Sequence, residues 1–154
     1  MTVAAVRLTS FRMHHEGNQD RRGASIAVYQ PKWYPQLPVI EGFDIRHNGQ
    51  WTRPRDFMPE DHDATVPDPG LLEMYHDTLL GMYARRYEQI GAWLGTHYGE
   101  WDFCCWCPYD KAAKRQLHDY GSFVCHSWAV ESYLHVYGIP VERDGDRQQM
   151  VRRL

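Results

Sequence analysis

The segment Trp101–Cys107, which reads WDFCCWC, decides how this chain is expected to fold. It is a short, aromatic-rich apolar run closed by Pro108, as expected of a buried strand. A second apolar run, from Phe123 to Tyr137, follows a polar connection. Ser122 before that run predicts a helix N-cap, because its hydroxyl can accept from free first-turn amides. Gly138 predicts the end of the helix, so the pattern is strand, loop, helix.

The rest of the chain extends this pattern. Residues 2–9 and 24–29 are predicted strands, separated by a polar connection from Ser10 to Arg22, and Val141-Glu142 is a short last strand. Asp68-Pro69 starts a long predicted helix that runs to Gly99, with apolar residues at helical spacing. We therefore predict an α/β fold: one small domain over residues 1–143, with a mostly parallel sheet flanked by helices. Residues 144–154 form a polar tail.

The long segment 31–70 is predicted to be irregular. It holds seven of the nine prolines and five large aromatic residues. A connection of this length in a compact domain is usually functional or disordered, and aromatic residues argue against disorder. We interpret the segment as a lid packed on the body of the domain.

Composition limits the classes of protein that fit. Of 154 residues, 43% are hydrophobic and 14% aromatic, which indicates a globular chain. No apolar run approaches the length of a membrane span, and the first ten residues do not read as a signal peptide. The four cysteines are clustered, unlike a secreted disulfide framework, which favours a reducing cytoplasm. The net charge of −3 does not predict a nucleic-acid partner, and the sequence does not predict the oligomeric state.

Polar residues follow the predicted strands and meet at one edge. Ligands bind there in parallel sheets, beyond the carboxyl ends of strands. The free amides and dipole of a helix N-terminus favour an anion. We therefore predict that a small nucleotide-like, phosphate or carboxylate ligand is bound by Thr9, Ser10, Lys32, Ser122 and Ser127.

Cysteine and histidine residues supply the catalytic candidates. Cys107 ends the predicted strand, and Cys125 lies in the first turn of the helix, where the dipole lowers a thiol pKa. If the protein is an enzyme, Cys107 or Cys125 is the nucleophile and His126 is the acid–base partner. A packed core histidine is the other interpretation of His126. Cys104 is interpreted as a small buried hydrophobe.

Zinc is the rival interpretation. Cys105, Cys107, Cys125 and His126 are soft ligands, but their spacing is not that of a Cys-x2-Cys knuckle. No metal or other cofactor is therefore predicted. His14-His15 is a second possible ligand pair and is interpreted as a loop feature.

Several fragments resemble one protein family. They are Thr9-Ser10-Phe11, Ser25-Ile26-Ala27 leading into Pro31-Lys32-Trp33, the strand ending in Cys107, and Cys125-His126. Their order resembles the bacterial and phage proteins of domain of unknown function 488, which include the YeaO-like proteins. The resemblance covers about residues 6–141 and implies a small cytosolic α/β domain. The chain departs from the family at Ser127, where the family usually has arginine, and in the long connection 108–121.

Two functional hypotheses remain open. In the first, the chain binds an anionic small molecule at the strand-end edge beneath the 31–70 segment, with or without Cys/His catalysis. In the second, it is a non-enzymatic interaction protein, related to phage or defence as the resemblance implies, whose contact face includes Trp33 and Trp51. A deep pocket favours the first, and an exposed aromatic patch favours the second.

Overall fold

A computed structural model describes residues 2–17, 20–27, 30–44, 46–47, 50–51, 69–105 and 126–143. Along the chain the elements are β1 (Val3–Ser10), α1 (Phe11–Glu16), β2 (Arg22–Ser25), β3 (Arg46–His47), β4 (Gln50–Trp51), α2 (Pro69–Ala84), α3 (Tyr87–Thr96), β5 (Gly99–Cys105), α4 (Ser127–Val136) and β6 (Val141–Arg143). β3 and β4 pair with each other as an antiparallel hairpin. The other four strands form the central sheet.

The central sheet has the strand order β2-β5-β1-β6, and every pair in it is parallel. The segment around Trp101–Cys105 is therefore an inner strand, bonded to β2 on one side and β1 on the other. Parallel strands need crossover connections, and helices supply them here. The predicted α/β fold with a parallel sheet flanked by helices is confirmed.

The two faces of the sheet are covered unequally. Leu8 and Phe103 project into the main core, where they join side chains from α2, α3 and α4. Because successive side chains of a strand alternate between faces, Asp102 and Cys104 project to the opposite face. There Cys104 packs with Phe11 of α1 and Ala27. Among the described elements, one face thus carries α2, α3 and α4, and the other carries the short helix α1.

The helix α1 replaces the predicted polar connection after β1. Ser10 Oγ accepts a hydrogen bond from the Met13 amide at 3.0 Å, which caps the helix. Phe11 is buried, and the Gly17 amide donates to Met13 O at the other end. The six residues of α1 are mainly polar and have no periodic pattern of apolar residues, so the sequence does not predict this helix. Contacts with the rest of the domain stabilise it.

The predicted helix from residue 68 to 99 is two helices, α2 and α3, and the prediction of one continuous helix is wrong. The chain turns at Arg85-Arg86, where the Arg86 amide donates to Tyr83 O at 2.9 Å. A straight helix would bury Tyr87 on its apolar stripe, yet Tyr87 is 59% exposed. Tyr83 and Ile90, on either side of the turn, are both fully buried. The bend therefore lets both halves face the core.

The described part of the predicted lid packs along the edge of the sheet. Val39 forms a parallel bridge with Ser25, and the Ile40 amide donates to Ser25 O at 3.0 Å. Ile40 and Phe43 are buried in the main core. This segment thus continues the sheet beyond β2. Residues 45, 48–49 and 52–68 lie outside the described residues, so the lid as a whole stays a prediction.

α4 ends as the sequence predicts. The Gly138 amide donates to His135 O at 3.0 Å, and the Ile139 amide donates to Leu134 O at 3.3 Å. Gly138 has φ +69°, a left-handed conformation that disfavours residues with a Cβ. The described part of the helix begins at Ser127, and the predicted cap Ser122 lies outside the described residues.

Replacing Gly138 by alanine should lower the free energy of unfolding by about 1–2 kcal/mol, because a left-handed backbone is strained by a Cβ. No atom of the described residues lies within 4 Å of that Cβ, so none of them adds a clash. Gly81 in α2 also has open space, but its backbone is helical. Gly81→Ala should therefore stabilise the protein by about 0.5–1 kcal/mol. Urea unfolding of both variants checks the opposite signs. Equal changes would contradict the left-handed assignment.

Candidate functional site

The carboxyl-terminal edge of the sheet contains a point where neighbouring strands lead to opposite faces. Ser10 of β1 lies beside Cys105 of β5 in the parallel register. β1 continues into α1 on one face, whereas the chain after β5 reaches α4 on the other. A crevice opens between two such strands, and ligands of α/β proteins bind there. The edge at Ser10 and Cys105 is therefore the first candidate site.

Three residues predicted to bind ligand lie at or next to this edge. Thr9 and Ser10 end β1, and Ser127 begins α4; all three are buried. Ser10 Oγ is already engaged by the Met13 amide, so its first role is to cap α1. The edge thus combines buried hydroxyl groups with the start of one helix on each face.

His126 joins the start of α4 to Ile26, the residue that follows β2. Its Nε2 lies 3.0 Å from the carbonyl oxygen of Ile26. A carbonyl only accepts, so Nε2 carries the proton and donates. In the neutral ring, Nδ1 is then the nitrogen that can accept a proton. The structure therefore brings the predicted acid–base residue to the predicted edge.

The remaining residues that the sequence predicts for the site are either exposed or outside the described residues. Lys32 is exposed in the segment after β2. Cys107, Cys125 and Ser122 lie outside the described residues, so their predicted catalytic and binding roles stay predictions. Pairing of either cysteine with His126 stays a prediction too.

Cys104 and Cys105 are both fully buried. Cys105 projects into the main core and Cys104 into the smaller cluster below α1. The interpretation of Cys104 as a small buried hydrophobe agrees with this packing. Within the described ranges, no group of three or more His, Cys, Asp or Glu side chains could hold a metal ion. Two of the four residues of the zinc hypothesis, Cys107 and Cys125, fall outside those ranges.

A second polar cluster lies in the middle of the α1 face. The Asp102 side chain is 0% exposed, and Arg7 on the neighbouring strand is 15% exposed. Arg7 Nε donates to Asp102 Oδ1 at 2.7 Å, and Arg7 Nη2 donates to Oδ2 at 3.1 Å. This two-bond geometry is the strongest form of an arginine–carboxylate pair. It follows from the register, which places Arg7 directly beside Asp102.

His14 of α1 completes the cluster. Its Nδ1 lies 2.7 Å from Asp102 Oδ2. A carboxylate only accepts, so Nδ1 donates and the neutral ring presents Nε2 as acceptor. The ring rests on Gly23 of β2, where an added Cβ would lie 2.5 Å from Nε2. A buried carboxylate that orients a histidine in this way prepares Nε2 for proton transfer or for holding a ligand.

Arg7 also reaches Asp20, which is exposed, at 2.9 Å from Nη2. The hydrogen bond to Asp102 is the main cause that raises the pKa of Arg7 above its ordinary value, so Arg7 stays charged. The hydrogen bond from Arg7 lowers the pKa of Asp20. The Arg7–Asp20 pair therefore stabilises the fold above the unfolded-state pKa of Asp20. That contribution is lost as the pH falls through the lowered folded-state pKa.

A cavity of about 300 Å³ lies beside this cluster, between α1 and the segment 34–37. The described residues of its apolar wall are Phe11, Tyr34, Pro35 and Leu37. The described basic residues that line it are His14, His15 and Arg21. The cavity lies on the opposite face of the sheet from the main core, where α1 is the covering helix.

Sequence reasoning missed this second cluster. The sequence pattern predicts for His14 only one half of a possible ligand pair in a loop, and it places Arg7 and Asp102 inside apolar strands. The available signal is Asp102 itself, because a carboxylate in the middle of a buried strand needs a partner. Its partner is fixed by the strand order, which the sequence pattern does not determine.

Comparison of the chain with protein-family models, curated proteins and solved structures finds no match. The resemblance to domain of unknown function 488 therefore stays a prediction. Among the described helices, none combines the length and the apolar character that crossing a bilayer requires.

Proposed function

We propose that this protein binds a small anionic molecule at the carboxyl-terminal edge of its sheet. The ligand class is a nucleotide-like molecule, a phosphate or a carboxylate. The observation that carries the proposal is the divergence of β1 and β5 to opposite faces next to Ser10 and Cys105. The buried hydroxyls of Thr9 and Ser127 and the ring of His126 add polar groups at this edge.

An enzymatic form of the proposal assigns His126 the acid–base role. Because Nε2 is held by the Ile26 carbonyl, proton transfer would use Nδ1. Cys107 or Cys125 is then the nucleophile that His126 activates, as their places in the sequence predict. The structural alternative is that His126 only anchors α4 to β2.

Thermal-shift measurements with inorganic phosphate, adenosine monophosphate and small carboxylic acids test the binding proposal. A ligand at a hundredfold excess over its Kd should stabilise the fold by about 2.7 kcal/mol. For a domain of this size the melting temperature should rise by about 8 °C. The rise should shrink in His126→Ala, measured against the melting temperature of that variant alone.

His135→Ala is the matched control, because His135 is exposed in the last turn of the same helix. It should keep the full ligand-induced rise, whereas Lys32→Ala should reduce the rise if Lys32 reaches the ligand. The proposal fails if none of these anions raises the melting temperature. It also fails if both histidine variants respond like the unmodified protein.

A second candidate function is protein interaction through the segment after β2. Trp33 is 85% exposed in a turn of this segment. A tryptophan is costly to expose and is enriched at the centres of binding interfaces. A partner that uses this surface should lose most of its affinity for Trp33→Ala while the melting temperature stays unchanged.

A further inference from the structure

The cavity between α1 and the segment 34–37 has the composition of a ligand site. Phe11, Tyr34, Pro35 and Leu37 provide an apolar body. The other described lining residues are the basic residues His14, His15 and Arg21, and no acidic side chain is among the described residues that line the cavity. Small-molecule sites combine a mainly apolar wall with a few convergent polar groups. A ligand that fits this lining has an apolar body and one negatively charged end.

Arg21 is the cation best placed to bind the charged end. Its side chain is 10% exposed, and its Nε and Nη1 make no hydrogen bond to any described residue. Its ion pairs are loose, because Glu100 and Glu142 each stand 3.6 Å away and are themselves exposed. Buried donors without partners are costly, and an arginine fork binds carboxylate or phosphate strongly. Arg21 therefore gains more from an incoming anion than a surface arginine does.

His14 adds a second polar group with a fixed orientation. Asp102 holds Nδ1 at 2.7 Å, and Nε2 makes no hydrogen bond to a described residue. In the positively charged ring both nitrogens carry a proton, so Nδ1 keeps its hydrogen bond to Asp102 while Nε2 donates to an anion in the cavity. Asp102 in turn accepts hydrogen bonds from Nε and Nη2 of Arg7, so the ring is supported by a buried network.

The size of the cavity and the rings in its wall favour a flat ligand. A volume of about 300 Å³ is at the lower end for ligand pockets and suits a molecule with one ring. His15 and Tyr34 form a wall of two tilted rings, with centroids 4.6 Å apart and planes at 32°. Aromatic ligands pack on such rings by offset stacking or edge contact.

We infer that this cavity is a second ligand site, separate from the carboxyl-terminal edge, and that it binds a small aromatic carboxylate. Arg21 and His14 bind the carboxylate, and Tyr34 and Phe11 contact the ring. The site is on the α1 face and uses none of the residues assigned to the edge site. The inference is therefore independent of the proposed function, and an experiment can contradict one without the other.

Titration with benzoate and benzamide, followed by NMR of the histidine rings, tests the inference on the unmodified protein. Benzoate should shift the ring signals of His14 and His15 in a saturable way. Benzamide has the same ring and nearly the same shape without the charge, so it should bind at least about tenfold more weakly. Equal binding of the two probes, or no saturable shift with benzoate, would overturn the inference. This comparison uses only the unmodified protein, so its outcome does not depend on whether a variant folds.

Arginine variants locate the binding group. Arg21→Gln should weaken benzoate binding by about tenfold or more, because a charge-assisted pair is lost. Arg12→Gln is the matched control: Arg12 is an exposed arginine of α1 whose partner is Glu16. It should bind benzoate as the unmodified protein does, and so should His126→Ala. If Arg21→Gln binds normally, or if His126→Ala loses benzoate binding, the ligand is not in this cavity and the inference is wrong.

Discussion

Replacing Asp102 by asparagine should lower the free energy of unfolding by about 3 kcal/mol, because it leaves the Arg7 charge without its buried partner. Arg7 is 15% exposed and donates two hydrogen bonds to this carboxylate. His14 donates a third. An amide oxygen accepts at most two hydrogen bonds, so asparagine cannot satisfy all three donor groups, and its NH₂ would face a donor. Denaturant unfolding measures the loss.

Asp20→Asn is the matched control for this prediction. Asp20 also accepts from Arg7 Nη2, at 2.9 Å, but it is exposed. Water can therefore replace its hydrogen bond, and exposed ion pairs contribute little. The change in stability should be much smaller than that of Asp102→Asn. Similar losses for the two variants would show that burial of Asp102 does not govern the energetics.

A double-mutant cycle separates the pair from its surroundings. Arg7→Met removes the cation and keeps much of the apolar stem, so Arg7→Met/Asp102→Asn has no unpaired buried charge. Its loss of stability should be smaller than the sum of the two single losses. Additive losses would mean that Arg7 and Asp102 act independently, which their bidentate contact does not allow.

The sequence predicts those parts of the fold that a local pattern of residues determines. The apolar run around Phe103 predicts an inner strand, and Gly138 predicts the end of α4, because a buried strand and a left-handed cap each need particular residues. The split at Arg86 was not predicted. The stripe of apolar residues continues across Arg86 in the sequence. Packing against the core determines which residues of this stripe are buried.

The residues of the candidate sites also fall into two groups, those that the sequence predicts and those that it does not. Thr9, Ser10 and His126 could be placed at one edge from the sequence, because carboxyl ends of parallel strands meet there. The contact of His14 with Asp102 could not be predicted from the sequence. It depends on the strand order, on the register of the strands and on a short helix whose sequence has no periodic pattern of apolar residues. Residues separated by 88 positions are brought together only by the topology.

Phe43 should be among the most costly residues to truncate, although it lies in the segment that the sequence predicts to be irregular. Its side chain is 1% exposed. Its ring meets Tyr83 edge-on at 5.0 Å between centroids and Tyr133 at 6.1 Å. Phe43→Ala would remove these contacts and leave a cavity in the main core. The expected loss is about 3–5 kcal/mol, with a fall in melting temperature of about 10 °C.

Trp33→Ala is the contrasting variant, because it removes a larger aromatic side chain from the same segment. Trp33 is exposed, so its truncation leaves no cavity and should change stability by less than about 0.5 kcal/mol. Calorimetry or denaturant unfolding of the two variants measures how firmly this segment is part of the core. If Phe43→Ala melts within a degree or two of Trp33→Ala, the segment does not pack on Tyr83 in solution. The core would then have to be completed by other residues, because an open space beside Tyr83 and Tyr133 would itself destabilise the domain.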